Sequence, residues 1–409
     1  MVKEKDIKNA VFLNTMAIFI YFFVQWILTV IVTRMFDFQN AGVFTLAVSL
    51  SNIFCYISNF GVRNIQISDS NRTISRNTYI STRILTSLFS TALFIIAIVV
   101  SNYDRQTIAC CIAMMVYKLM ESYADVIIGE MQVVDHYDWI AVSYFLKSGA
   151  ILLMFVILAL LKYPLRLCIY GMCVGFLFVF LIYDLKKTGI YNTYFWETSH
   201  IEVLLKRSFP LTVMSILDSL VLFIPKHFVE VMYGSTQLGY YGTVTIVIIV
   251  LSTLGSAVWS SLLPVYSLYF SKHDQNGVKR MTKTIIVLMI VLSFLLLTIG
   301  RNVAPLFYKI IFGEEILKHM YLLTSVIINS LLLLYNSFFV CILVPIKKNN
   351  LLAISDLICV IVLLPLCCFM CRTFGLLGAS YSLSIALCIK FLILLIRSVG
   401  YIQSYFKII

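Results

Sequence analysis

IIVLMIVLSFLLLTI, residues Ile285–Ile299, carries no charge and only two hydroxyls, Ser293 and Thr298. It does not alternate apolar with polar, as a membrane β-strand of roughly ten residues would. Apolar blocks of this kind, each about 20 residues long, recur along the whole chain, and about 20 residues cross a hydrocarbon core about 30 Å thick. Every backbone amide and carbonyl at that depth needs an internal partner, so the blocks are expected to be helices. Composition agrees. Hydrophobic residues make up 61% of the 409 and charged residues 12%, and the mean hydropathy is +0.96. A soluble domain has about 45–50% apolar and about 25% charged residues.

Working outward from Ile285–Ile299, twelve spans are predicted. The first six are Ala10–Thr33, Ala41–Phe60, Tyr79–Ser101, Gln106–Ile128, Trp139–Leu161 and Leu165–Leu185. The second six are Ser208–Glu230, Leu238–Leu263, Thr282–Pro305, His319–Val344, Leu351–Cys371 and Leu377–Ile396. The fold class is an all-α integral membrane protein. Met1–Lys8 is basic, with no small-residue cleavage site after it, and reads as the flank of a first span rather than a removed signal.

The net charge of +12 fits orientation better than nucleic-acid binding, because most Lys and Arg lie in short inter-helix segments. With both termini in the cytoplasm, the inside segments hold about 19 of them and the outside segments about 8. Lys3, Arg63, Arg72, Arg76, Arg83 and Lys186 are counted inside, and Arg34, Arg105, Arg301 and Lys318 outside. The 11 cysteines lie almost wholly in apolar blocks, without the His and Cys neighbours of a metal site, so no metal or cofactor is expected.

The polar stretch Lys186–Arg207 reads as a linker between two halves, residues 1–200 and 201–409. Met35-Phe36, Asn40, Gly42 and Phe44 recur as Met232-Tyr233, Gln237, Gly239 and Tyr241 at a constant offset of 197. Six spans per half is an even number, which relates the halves by an axis along the membrane normal.

Nine of the charged residues inside predicted spans are read as lying within the membrane: Lys118, Glu121, Asp125, Lys147, Asp218, Lys226, Glu230, Asp356 and Lys390. A charge at the bilayer centre costs at least about 2.5–3.5 kcal/mol and faces a partner or a wet cavity. Lys118, Glu121, Ser122 and Asp125 share one helix face, with Lys118 near the midplane. Asn52, Tyr56, Asn59 and Arg63 form a second polar row; Asn14, Tyr21 and Gln25 a third; Asn329 and Asn336 a fourth. These rows fit either helix–helix bonding or cavity lining. Lys226 and Glu230 are spaced for a local ion pair with snorkelling, and Lys390 is close enough to the inner end to snorkel. A lysine-lined cavity attracts an anion, and Lys serves a diphosphate as a compact point charge. Asp218, Glu121 and Asp125 are candidates to carry H+ or Na+ for coupling.

No G-x-x-x-x-G-K-[ST], H-E-x-x-H or G-x-S-x-G motif occurs. Asn71-Arg72-Thr73 fits a glycosylation acceptor but falls in the cytoplasm. A membrane-embedded glycan polymerase or ligase would need a sizeable outer loop; the longest here, Leu306–Lys318, has about 13 residues. A drug extruder would favour an acidic, aromatic cavity, against which the buried lysines count.

Several stretches resemble Wzx-type polysaccharide flippases of the multidrug/oligosaccharidyl-lipid/polysaccharide exporter (MOP) superfamily. They are Asn40-Ala41-Gly42-Val43-Phe44, Asn59-Phe60-Gly61-Val62-Arg63-Asn64 with Asp69, Phe209-Pro210-Leu211, Ile224-Pro225-Lys226, Leu238-Gly239-Tyr240-Tyr241, Gly313-Glu314-Glu315 and Phe374-Gly375-Leu376-Leu377-Gly378-Ala379. The resemblance implies two six-helix lobes around a central cavity in a bacterial inner membrane, with an undecaprenyl-diphosphate-linked oligosaccharide as cargo. It also implies alternating access driven by an ion gradient, with glycan polymerase machinery as a candidate partner. It makes Arg63 and Lys226 candidates for contact with the anionic headgroup or the gating region, beside the cavity lysines Lys118, Lys147 and Lys390. Where the family often has Arg followed by Tyr, this chain has Lys226-His227.

Overall fold

A computed structural model describes residues 4–69, 72–101, 103–189 and 196–407. Lys3 and the acceptor Asn71 lie outside the described residues. No strand occurs among the described residues.

The first half begins with α1 (Glu4–Met35), α2 (Phe38–Asn59), the short α3 (Val62–Ser68), α4 (Arg76–Val100), α5 (Arg105–Val133) and α6 (Tyr137–Leu160). Then come α7 (Leu165–Val179), a π-turn over Phe180–Asp184, and α8 (Leu185–Thr188). Next are α9 (Ile201–Val244), broken at Gly234 (φ 79°), α10 (Ile246–Ser271) and α11 (Gln275–Leu295). A π-turn at Leu296–Gly300 joins α11 to α12 (Arg301–Phe312), and a 3-10 segment over Glu315–Leu322 leads into α13 (Leu323–Leu343). The chain closes with α14 (Asn349–Phe374) and α15 (Leu376–Lys407).

Four helices start where the sequence supplies a side-chain oxygen for their free amides. Asp37 accepts from Asn40 N, Ser75 from Thr78 N, Asp104 from Gln106 N and Thr107 N, and Asp274 from Gly277 N. Between α2 and α3, Phe60 and Gly61 are both left-handed (φ 45° and 62°). Gly61 takes that conformation without steric cost.

By length and hydropathy, ten helical stretches among the described residues qualify to cross a membrane. All twelve predicted segments are helical. The tally is lower because α5 is not among them, and Ile201–Ser252 forms one stretch of 52 residues. The helices partition inside-out. α4 exposes Leu88, Phe89, Ile95 and Ile96 while burying Arg83, Thr86 and Ser90. So extended an apolar exterior fits lipid and not water.

Three expectations are corrected. Arg83, assigned to a cytoplasmic segment, is fully buried inside α4. The ninth span does not stop at Pro305. The π-turn at Leu296–Gly300, just ahead of that proline, precedes a helix running on to Phe312, as π-bulges and local adjustments allow around a proline. The supposed outer loop Leu306–Lys318 is therefore largely helical. Third, Lys186–Arg207 is not wholly a free linker. Glu197 N donates to Ser81 Oγ at 2.9 Å and Thr78 Oγ1 donates to Ser199 O at 3.0 Å, fastening this stretch to the start of α4.

The chain divides into two compact units, Met1–Ser219 and Leu220–Ile409. In the first, α1 packs on α6, α6 on α7, and α5 on α2 and α7. In the second, α14 packs on α15, and α13 on α10 and α15. The α14–α15 hairpin is set by backbone approach: a Cβ on Gly378 would lie 1.9 Å from Met370 O and 2.3 Å from Met370 C. Small residues let membrane helices come this close. Gly378→Ala is expected to prise the hairpin apart and cost about 1–3 kcal/mol, the usual range for overpacking. An unchanged thermal midpoint in detergent would contradict this.

Candidate functional site

The predicted stripe on α5 exists and is longer than expected. Lys118, Ser122, Asp125, Gly129 and Gln132 follow one another at helical spacing along one face. Lys118 Nζ pairs with Glu121 Oε2 at 2.6 Å. Glu121 Oε1 accepts from Gln25 Nε2 at 3.1 Å and from Tyr21 OH, and Tyr21 OH also meets Tyr117 OH at 2.7 Å. The α1 row therefore ties α1 to α5. Further along, Asp125 is gripped from two sides. Arg63 Nη1 reaches its Oδ1 at 2.9 Å and Arg83 Nη2 its Oδ2 at 2.9 Å.

Arg83 also donates to Asn59 Oδ1 at 2.8 Å, Ser58 O at 3.1 Å and Ser122 Oγ at 3.2 Å. Arg63 Nη2 donates to Gln132 Oε1 at 2.9 Å. Gly129 clears the space for this approach. A Cβ there would lie 2.3 Å from Gln66 Oε1 and 3.3 Å from the Arg63 stem.

Three cations, Arg63, Arg83 and Lys118, thus face two carboxylates, Glu121 and Asp125. The side chains of Arg63, Asp125 and Glu121 are 22%, 23% and 16% exposed. The cluster is therefore cation-rich and partly open, at a depth where an unpaired charge is costly. An apolar groove of about 310 Å³, lined by Leu119, Met120, Tyr123, Phe176 and Phe180 among others, lies on the opposite side of α5; it has no part in the charged face. Just outside the helices, Asp69 accepts from Thr73 N, Thr73 Oγ1, Ile74 N and Tyr79 OH. Burial opposes ionisation of this carboxyl, but those donors prevail and hold it below the usual carboxylate range.

Of the predicted site residues, Arg63, Lys118, Glu121 and Asp125 come together. Lys147 does not join them. Its Nζ pairs with Asp184 at 2.5 Å, with side chains 1% and 0% exposed, and lies 4.7 Å from the Phe176 ring centroid. Lys390 pairs with Asp356, and both are nearly sealed. The reading of Lys147 and Lys390 as linings of an open cavity is corrected: each is spent on a carboxylate of a neighbouring helix. Lys390 also does not snorkel. Asp218 is exposed and Lys226 half-buried on α9. Glu230 accepts from Ser235 Oγ at 2.7 Å.

The open question about the Asn rows is answered for two members. Asn329 Nδ2 donates to Ser380 O at 3.1 Å and Asn336 Nδ2 to Leu387 O at 3.2 Å, so both bind α13 to α15. Sequence reasoning missed Arg83 and Asp184 as buried partners. Arg83 stands seven residues past Arg76, about 10 Å into α4 at 1.5 Å per residue, a depth at which it needs an internal counter-charge. Asp184 lies within the predicted sixth span.

Comparison with solved structures gives the fold. The lipid II flippase MurJ in an inward closed conformation superposes with a TM-score of 0.75 at 14% identity, over 96% of this chain and 90% of that one. An outward-facing multidrug MATE transporter of the MOP superfamily gives 0.65 at 12% identity, over 98% and 97%. The chain has the fold that these transporters share. It belongs to the polysaccharide biosynthesis protein family, whose model matches residues 31–320. The capsular polysaccharide biosynthesis protein CapF of Staphylococcus aureus is 21% identical over 370 residues, covering 88% of this chain and 91% of that one. The resemblance read from the motifs is upheld.

Proposed function

We propose that this protein is a flippase that moves an undecaprenyl-diphosphate-linked oligosaccharide from the cytoplasmic to the outer leaflet of a bacterial inner membrane. The observation that carries the reading is the part-exposed cluster on α5, where cations outnumber carboxylates, in a chain of a polysaccharide biosynthesis family. A diphosphate leaving water needs cations and donors in its place. An acidic cluster would have suited a cationic drug instead. Arg63 and Lys118 are the candidate headgroup contacts in the first unit, and Lys226 is a separate candidate in the second. Two halves, residues 1–200 and 201–409, with twelve crossings and both termini cytoplasmic, alternate access to the two leaflets. Asp218, Glu121 and Asp125 are the candidate sites for H+ or Na+, and polymerase machinery takes up the delivered cargo.

The test is transport of a lipid-linked oligosaccharide in proteoliposomes with an imposed ion gradient. The unaltered protein is expected to move cargo to the far leaflet, and Asp218→Asn to abolish gradient-driven transport while expressing normally. Absence of movement by the unaltered protein under both H+ and Na+ gradients would remove the reading; full activity of Asp218→Asn would remove its coupling role.

A further inference from the structure

The two arginines on Asp125 are not equivalent. Arg83 is sealed, and besides the carboxylate it holds the Ser58 carbonyl, the Asn59 amide oxygen and the Ser122 hydroxyl. Arg63 sits at the edge, 22% exposed, held by one carboxylate oxygen, the neutral amide of Gln132 and the Tyr144 hydroxyl. If Arg63 lets go, a complete Arg83–Asp125 ion pair remains. If Arg83 let go, a sealed cation would lose its counter-charge. The Arg63–Asp125 contact is therefore the one that can open at low cost. Arg63 sits in the first turn of the short α3, and its planar fork fits phosphate oxygens as it fits a carboxylate.

We propose that Asp125 is an internal stand-in for the phosphate of the cargo: it holds Arg63 while the site is empty and yields it to the arriving diphosphate. Arg83 is a positioning residue that keeps Asp125 in place during the exchange. The inference rests on the reading that the cargo carries a diphosphate. A stand-in solves a problem common to anion carriers. A bare guanidinium would bind the headgroup too tightly to release it, and a competing carboxylate weakens that grip and returns the arm afterwards. Arg63 binding cargo and Asp125 competing with cargo predict opposite effects of removing their charges, which a merely structural cluster does not.

The experiment is titration of the full-length detergent-solubilised protein with farnesyl diphosphate, followed by tryptophan fluorescence, with farnesol as the uncharged control. Arg63→Gln is expected to weaken diphosphate binding about tenfold or more, since charge-assisted bonds are roughly twice as strong as neutral ones. Asp125→Asn is expected to tighten it by about the same factor, because an amide competes less well for the guanidinium. Should Asp125→Asn not fold, Arg83→Leu with Asp125→Asn removes the buried cation together with the carboxylate charge and is expected to show the same tightening. Binding that weakens or stays unchanged in the folded Asp125 variants overturns the stand-in alone. Failure of the unaltered protein to prefer farnesyl diphosphate over farnesol overturns the diphosphate reading, and the inference with it.

Discussion

Lys147→Met is expected to leave the protein unable to hold its fold in detergent. Its partner Asp184 is completely buried, and so is Lys147, whose ammonium lies against the rings of Phe176 and Phe180. Removing the cation strands a carboxylate in a low-dielectric interior. Breaking a buried pair from one side costs about 3–5 kcal/mol, a large share of the roughly 5–15 kcal/mol that holds a domain together. Lys147→Met combined with Asp184→Leu removes both charges at once and is expected to recover most of the loss, because apolar replacements of buried pairs are often neutral or better. Thermal melting followed by size-exclusion chromatography separates the cases. A single variant as stable as the unaltered protein would show that water or another cation reaches Asp184.

Arg83→Leu is expected to have the second largest effect. It leaves Asp125 with Arg63 as a partner, so the loss is not that of a lone carboxylate. It does strip a donor from the Ser58 carbonyl, the Asn59 oxygen and the Ser122 hydroxyl. The Ser58 carbonyl keeps Thr86 Oγ1 and the Ser122 hydroxyl keeps Ser58 Oγ, so the Asn59 oxygen is the group that loses its donor, at about 1–3 kcal/mol, and transport is expected to be lost with it. Arg83→Lys is a sharper probe. It retains the charge, but one ammonium cannot reproduce a fork that reaches Asp125, Asn59 and Ser122 together. It is expected to fold and to transport poorly. Normal transport by Arg83→Lys would mean that charge alone matters at this position.

The class of fold was legible because lipid imposes a length and a composition on anything that crosses it. The α5 face was legible because Lys118, Glu121, Ser122 and Asp125 are close in sequence and helical spacing places them together. Partners on other helices were not legible. Periodicity gives the face of a helix and says nothing of what that face meets, so Lys147 and Lys390 looked available when Asp184 and Asp356 already held them. Arg83 was hidden because a basic residue near a helix start reads equally as a membrane-edge anchor. Its depth follows from where Ser75 caps α4, and the sequence leaves that boundary loose. Pro305 misled in the other direction: it marks an end in a soluble helix, but here α12 runs through it to Phe312.

The charged stripe on α5, a helix absent from the ten that qualify among the described residues, bears on how the chain is made. A nascent segment with that face would enter the lipid reluctantly on its own, since single charges at mid-depth weigh against insertion by about 2.5–3.5 kcal/mol on translocon scales. Asp125 finds Arg63 and Arg83, and Glu121 finds Tyr21 and Gln25. All four partners precede α5 in the chain and leave the ribosome first. Synthesis in this order means α5 is received by earlier helices that already carry its counter-charges and donors, so its insertion is a matter of chain order as much as of hydrophobicity.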